Sequence, residues 1–395
     1  MTPNNSHSSS VQSLYVHVPF CATKCEYCAF YSEASSGEQM NRYVDALIRE
    51  MELVASSVKP RTVFFGGGTP SILSLQQWQR ILTAMERLDL LGADEWTIEC
   101  NPATVSTDKA SLFRQYGVNR ISMGVQSLDA DLLVRLGRIH SREMVFKSFD
   151  RLRGAGFENI NIDLMFAIPG QTMETWQSTM DEAIALGSEH LSCYEVIYEE
   201  DTPLYEQLQA GEFDIDEALA CAMYDRLIDT AAAAGFSQYE VANFARHEGE
   251  PDPELPSRAC RHNINYWRGG ACQALGPSAS GFVDGRRIRN VANTERYCEQ
   301  LELGQRAHES VEQLPPGQCR RDSGVWPADE RRLAVRLVHA SHRARPPQRV
   351  GGGHAARGRC RLGCTGSGAL SPHPRGSPLR RHHSRVVYPA GGITI

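Results

Sequence analysis

Three cysteines, Cys21, Cys25 and Cys28, fall within the eight residues CATKCEYC. Thiolates so spaced share one loop and can ligate one inorganic centre. Four protein ligands would complete a structural zinc or an ordinary iron–sulfur site. Three leave one iron of a [4Fe–4S] cluster open for another ligand. The spacing alone suits equally well three reduced, buried thiols, or a zinc completed by a distant Cys or His. The chain has 12 cysteines and opens on the polar stretch MTPNNSHSSSVQS, with no apolar run of a secretory leader. A cytosolic protein is expected, its cysteines serving as thiols or metal ligands and not as a disulfide framework.

Other residues of chemical type follow at intervals. Gly66, Gly67, Gly68, Thr69 and Pro70 succeed a short apolar run. Glycines there allow close backbone approach, and their N–H and C=O groups can bond an ammonium or carboxylate; a tight turn is the plainer reading. Glu99 stands where a strand should meet its loop and is either a solvated carboxylate or a ligand contact. Gln126, Arg138 and Asp163 come next. Asp163 interrupts an apolar run, so its charge needs a partner, and an ion pair with Arg138 competes with ligand binding. Near residue 262 stands His-Asn-Ile-Asn-Tyr-Trp, an imidazole, an amide and two large aromatic faces. By itself that segment reads as an edge strand with His262 exposed and Tyr266 and Trp267 in a core. Cys260 is a rival thiolate two residues earlier. His17, His140 and His190 read as structural or solvated.

The elements that must position these residues alternate in type. Apolar, β-branched runs at 14–18, 62–65, 96–99, 120–125, 159–168 and 190–197 predict strands. Amphipathic stretches at 38–57, 75–88, 107–116, 142–155 and 172–186 predict helices between them. Six strand–helix units imply a parallel sheet with helices outside and functional loops at the strand C-termini. At 395 residues a partial barrel is more economical than two separate domains. Further on, a helix at 216–234, a strand at 239–244, an acidic loop at 249–256, an edge strand at 286–291 and a helix at 294–303 are expected.

Charge divides the chain. Residues 320–395 hold 15 Arg, no Lys and three acids, a net of +12, which leaves −18 on residues 1–319 of a chain whose total is −6. The acidic body argues against a nucleic-acid partner. Its 41% hydrophobic, 22% charged composition can bury a sizeable core, and no stretch approaches a membrane span. The Arg-, Gly- and Pro-rich tail admits a disordered segment or a nucleic-acid arm. We favour a third reading, GC-rich coding sequence translated out of frame, because every periodicity stops together. The expected organisation is a short disordered start (1–12), a core (13–245), a short α+β extension (246–319) and the aberrant tail (320–395).

CxxxCxxC directly after the first strand of a repeated β/α chain, with Tyr27 before the last cysteine, resembles the radical S-adenosylmethionine superfamily, and the likeness covers roughly residues 13–305. It implies the partial (β/α)6 barrel. It implies a [4Fe–4S] cluster on Cys21, Cys25 and Cys28, with S-adenosylmethionine chelating the open iron and cleaved to a radical on reduction. By the same resemblance, Tyr15, Tyr27, Gly67, Gly68, Thr69, Glu99, Gln126, Arg138 and Asp163 form the cofactor surroundings. The run from Tyr15 to Cys21 (YVHVPFC), the GGGTP loop and GVQS resemble the branch of the oxygen-independent coproporphyrinogen III oxidases. That branch divides in two. The dehydrogenases carry a further Cys two residues after the third, where this chain has Phe30. The HemW type of heme chaperone carries HNxxYW, which residues 262–267 match. The resemblance therefore implies heme as cargo, with His262 as a candidate ligand. It further implies a heme-accepting respiratory protein, membrane-bound in the family's description, with cytoplasmic or peripheral inner-membrane placement and a homodimer among the assemblies allowed. It also implies a small C-terminal helical domain that the tail replaces. Conversion of coproporphyrinogen III to protoporphyrinogen IX is the competing activity.

Overall fold

The computed structural model describes residues 10–34, 36–249 and 255–313. Residues 1–9, most of the acidic loop and the whole Arg-rich tail lie outside the described residues.

Strands with two unlike faces build the sheet. In β1 (Val11–Val18), Leu14, Val16 and Val18 enter the main apolar core, while Ser13, Tyr15 and His17 face the other way. Helix α1 (Gly37–Val54) starts at Ser36, whose hydroxyl accepts the Gln39 N–H, and buries Tyr43, Val44, Leu47 and Met51 against that core. The alternation continues through β2 (Val58–Gly67), α2 (Leu75–Arg87), β3 (Glu95–Cys100), α3 (Thr107–Gln115), β4 (Arg120–Gln126), α4 (Ala130–Arg135), α5 (Arg142–Gly154), β5 (Ile160–Phe166), α6 (Met173–Ala185) and β6 (His190–Glu195). The six strands pair in parallel and in sequential order, as expected for six β/α units. β1 begins at Val11, three residues earlier than expected.

Past β6 come α7 (Pro203–Gln209), α8 (Glu217–Ala233) and a hairpin of β7 (Phe236–Gln238) and β8 (Asn243–Arg246), with β8 antiparallel to β6. The strand expected at 239–244 is mostly the turn of this hairpin: the Tyr239 N–H bonds the Asn243 carbonyl and the Asn243 N–H bonds that of Glu240. The HNxxYW segment is a helix, α9 (Arg261–Trp267), and not an edge strand. It ends where Gly269, at φ 70°, donates to the Tyr266 carbonyl. β9 (Gln273–Leu275) then pairs in parallel with β1 and extends the main sheet. β10 (Ser280–Val283), β11 (Arg286–Asn290) and β12 (His308–Gln313) make a small antiparallel sheet, with α10 (Thr294–Glu302) between the last two. The expected edge strand, β11, is the middle one, because β12 pairs along it.

Glu50 ties the extension to the core. Buried in α1, its carboxylate accepts from Gly276 N–H (2.8 Å), Asn290 Nδ2 (2.8 Å) and Tyr297 OH (2.6 Å). The main sheet curls around an inner face that is polar. Ser13, Thr62, Glu95, Thr97, Arg120, Ser122, Asn161, Asp163, His190 and Ser192 are all buried there. The helix-facing positions of the same strands are apolar.

Candidate functional site

The C-terminal ends of the parallel strands carry most of the residues singled out above. Cys21, Cys25 and Cys28 lie half-buried on the loop after β1. Backbone bonds hold that loop: Cys21 N–H to Glu33 O (3.1 Å), Cys28 N–H to Cys25 O (3.2 Å) and Glu26 N–H to Leu136 O (3.1 Å). Tyr27 packs against the apolar group of Leu132, Leu136 and Met165. Arg138 donates to the Gly124 carbonyl and, at 3.4 Å, to Cys25 Sγ. Cys21 Sγ and Thr69 Oγ1 are 3.5 Å apart. Burial raises the pKa of Cys21 and pushes Cys28 up to about 11. A metal centre binding there must displace those protons.

The glycine loop is shaped first by its own neighbours. Gly67 has φ 105°, and a Cβ on it would stand 2.5 Å from the His17 ring; one on Gly68 would stand 2.6 Å from the Phe20 carbonyl. The Gly68 and Thr69 N–H groups bond the carbonyls of Val18 and Phe20, and the Gly67 N–H bonds Glu99 Oε2 at 3.2 Å. With three N–H groups taken, acceptor groups are what the loop chiefly offers a ligand. Glu99 is accordingly no free surface carboxylate: burial, then the nearby Asp163, raise its pKa well above normal. Gln126 ends β4 in the left-handed region, φ 67°, a costly conformation for a residue with a side chain.

Asp163 accepts from Asn161 Nδ2 (2.6 Å) and Ser122 Oγ (3.3 Å). Arg138 uses other partners, so the Asp163–Arg138 ion pair that the sequence admitted is not formed. Burial raises Asp163 to about 6 against the opposing pull of the Asn161 bond and the Arg120 charge.

The donor set fits a cluster better than a single ion. Among the described residues no three of His, Cys, Asp or Glu close on one metal-sized point. A cluster demands less convergence, since each thiolate meets a different iron. Three thiols on one loop, a guanidinium on one of them, and half-buried Glu99 and Gln126 beside them are compatible with a cluster and a polar, zwitterionic ligand.

Tyr15 and His262 lie deeper. Tyr15 is 6% exposed; its hydroxyl is 3.0 Å from His17 Nδ1, and His17 Nε2 lies 2.9 Å from the Tyr31 carbonyl, just past the cysteines. His262 is 4% exposed, with its ring 5.2 Å from Phe64 and 6.4 Å from Tyr15, and Nδ1 3.1 Å from Thr62 Oγ1. Burial, then Arg120, lower its pKa to about 3, so the imidazole is neutral. Helix α9 thus fills the N-terminal end of the barrel, opposite the cysteine loop. Glu95, the first residue of β3, accepts the N–H groups of Arg261 (2.8 Å) and His262 (2.9 Å). His190 and Tyr239 complete this end: His190 Nε2 lies 2.6 Å from the Tyr239 hydroxyl, which accepts the Cys260 N–H. Sequence reasoning missed Glu95, Arg120 and Tyr239. For Glu95 and Arg120 the signal available was polar residues at alternate positions in otherwise apolar strands; Tyr239, in the hairpin turn, carried none.

A model described as the radical SAM superfamily matches residues 15–183. The chain is 37% identical over 301 residues to a heme chaperone HemW of Lactococcus lactis subsp. lactis (strain IL1403), covering 76% of this chain and 77% of the relative. It is 37% identical over 287 residues to the heme chaperone HemW of Escherichia coli (strain K12), covering 71% and 73%. The solved coproporphyrinogen III oxidase of Escherichia coli, a radical SAM enzyme, superposes with a TM-score of 0.70 over 85% of this chain and 80% of that one, at 22% identity, a likeness of fold.

Proposed function

The chain belongs to the HemW family of heme chaperones within the radical SAM superfamily, and from that premise we propose that it holds heme and passes it to an acceptor protein. Cys21, Cys25 and Cys28 would hold the [4Fe–4S] cluster, with Arg138 donating to one sulfur. The glycine loop, Glu99, Gln126 and Asp163 would surround S-adenosylmethionine. When bound, the cluster supplies a one-electron reductant beside that ligand. The protein's own part is to orient the ligand between the loops after β1, β2 and β4 and to limit water around it.

The observation that carries the chaperone reading is the position of α9. Glu95 at its cap and Glu99 at the cofactor end stand four residues apart on β3, about 13 Å at strand rise. The HNxxYW motif and the cysteine loop therefore lie toward opposite ends of β3, which favours handling heme apart from any chemistry begun at the cysteines. Phe30, 42% exposed, occupies the position where the dehydrogenase pattern has its extra cysteine. His262 is the heme ligand we favour. A membrane-bound respiratory acceptor, placement at the cytoplasmic face of a membrane and a homodimer complete the proposal; no described helix is long and apolar enough to cross a membrane.

The test is paired. Reconstituted protein should bind heme yet fail, with S-adenosylmethionine and a reductant, to convert coproporphyrinogen III anaerobically. Vinyl formation at an enzymatic rate would reject the chaperone reading.

A further inference from the structure

The HNxxYW helix is fastened by a residue 166 positions away in sequence. Glu95 is 5% exposed. Its Oε2 accepts the Arg261 N–H at 2.8 Å, its Oε1 accepts the His262 N–H at 2.9 Å, and the Cys260 thiol donates to Oε1 at 3.5 Å. All three donors belong to the first turn of α9. Cys260, at the N-cap, makes no side-chain cap of its own, so Glu95 performs that task from the barrel wall. Arg120 is the neighbouring cation: buried, it donates to Thr97 at 3.5 Å, its Nε has no partner, and Glu95 directs its two oxygens to α9 instead. The other end of the helix is held locally, by the Gly270 N–H on the Asn265 carbonyl and Asn265 Nδ2 on the Ala271 carbonyl. Trp267 is half-buried and Arg268 exposed, and Gly269 and Gly270 follow.

The closed position excludes heme from His262. The imidazole sits between the rings of Phe64 and Tyr15 with Nδ1 against Thr62, and no macrocycle can reach it there. We propose that Glu95 is the latch of a two-position helix: while its carboxylate holds the first turn of α9, His262 is closed into the barrel, and heme ligation requires that turn to swing out about the Gly269–Gly270 end. Glu95 is thus a positioning residue acting through His262. The inference rests on the heme-chaperone reading.

Stopped-flow mixing with ferric heme tests it, alongside amide hydrogen exchange of residues 260–268 in heme-free protein. Wild-type heme association should saturate with heme concentration, because opening becomes limiting. E95A should bind roughly tenfold faster or more, and E95Q, which keeps one acceptor, should fall between them. Both variants should keep the wild-type Soret maximum, and H262A should shift it. Amides 260–268 should exchange faster in E95A and E95Q than in wild type. E95Q serves alone if E95A does not fold. Equal exchange with heme binding intact overturns the latch. Equal association rates in wild type and both variants do the same. An unshifted Soret band in H262A overturns the role of His262. Absence of heme binding in every form overturns the chaperone reading itself, and the exchange result then stands apart from it.

Discussion

Asp163 shows how a single inward side chain couples the site to the stability of the barrel. Its carboxyl has a folded pKa of about 6 against 3.8 for the free group, because burial outweighs Asn161, Ser122 and Arg120. Below about pH 4 the group is protonated in both folded and unfolded chains; above about pH 6 it is ionised in both. Between these values the folded chain binds more protons, so stability falls as pH rises, by roughly 3 kcal/mol in all. D163N should abolish that slope, read as the urea midpoint between pH 4 and pH 7. A variant with the wild-type slope would show that the burden lies elsewhere. At this scale the sequence was most readable. Spacing marked the cysteines, and an acid inside an apolar run marked Asp163. Partners were not readable, because Asn161 and Ser122 reach Asp163 through strand alternation and register.

Among the elements, the contact between α1 and the extension is the most exposed to a single change. Glu50 satisfies three donors from three later segments, at Gly276, Asn290 and Tyr297. Burial raises its pKa, and the three donated bonds oppose the rise. E50A would leave those donors buried without acceptors, and roughly 3–5 kcal/mol should be lost. E50Q keeps an acceptor and should lose less. Denaturant melts compare the two, and an E50A variant as stable as wild type would deny Glu50 this role. The six strands and five long helices were legible because each carries its own period and its own cap, such as Ser36 or Ser74. The hairpin turn at Tyr239 and helix α9 were not. Both depend on distant groups, His190 and Glu95, and α9 is too short at seven residues to sustain itself by propensity.

At the scale of the described fold, the two proposed sites lie at opposite ends of one barrel. The cysteine loop, the glycine loop, Glu99 and Gln126 cluster at the C-terminal ends of the strands. Helix α9, Glu95 and His190 close the N-terminal ends. Mutations separated by more than about 10 Å, with no shared partner, act additively. The ends approach at Tyr15, whose hydroxyl meets His17 and whose ring lies near His262, and at Asn161, which donates to Asp163 and bonds His190. Independence is therefore expected for changes at the ends themselves and not for changes at Tyr15 or Asn161. The triple variant Cys21→Ala, Cys25→Ala, Cys28→Ala should lose the cluster, measured as iron and acid-labile sulfide after anaerobic reconstitution, and keep heme affinity within about threefold. H262A should show the reverse pattern, with cluster content of the wild type and altered heme binding. Y15F should disturb both, because it removes the hydroxyl that steadies His17 beneath Gly67 and repacks the ring that faces His262. Loss of heme binding in the triple cysteine variant would mean that cluster and heme occupy one site, and the two-ended arrangement would have to be given up.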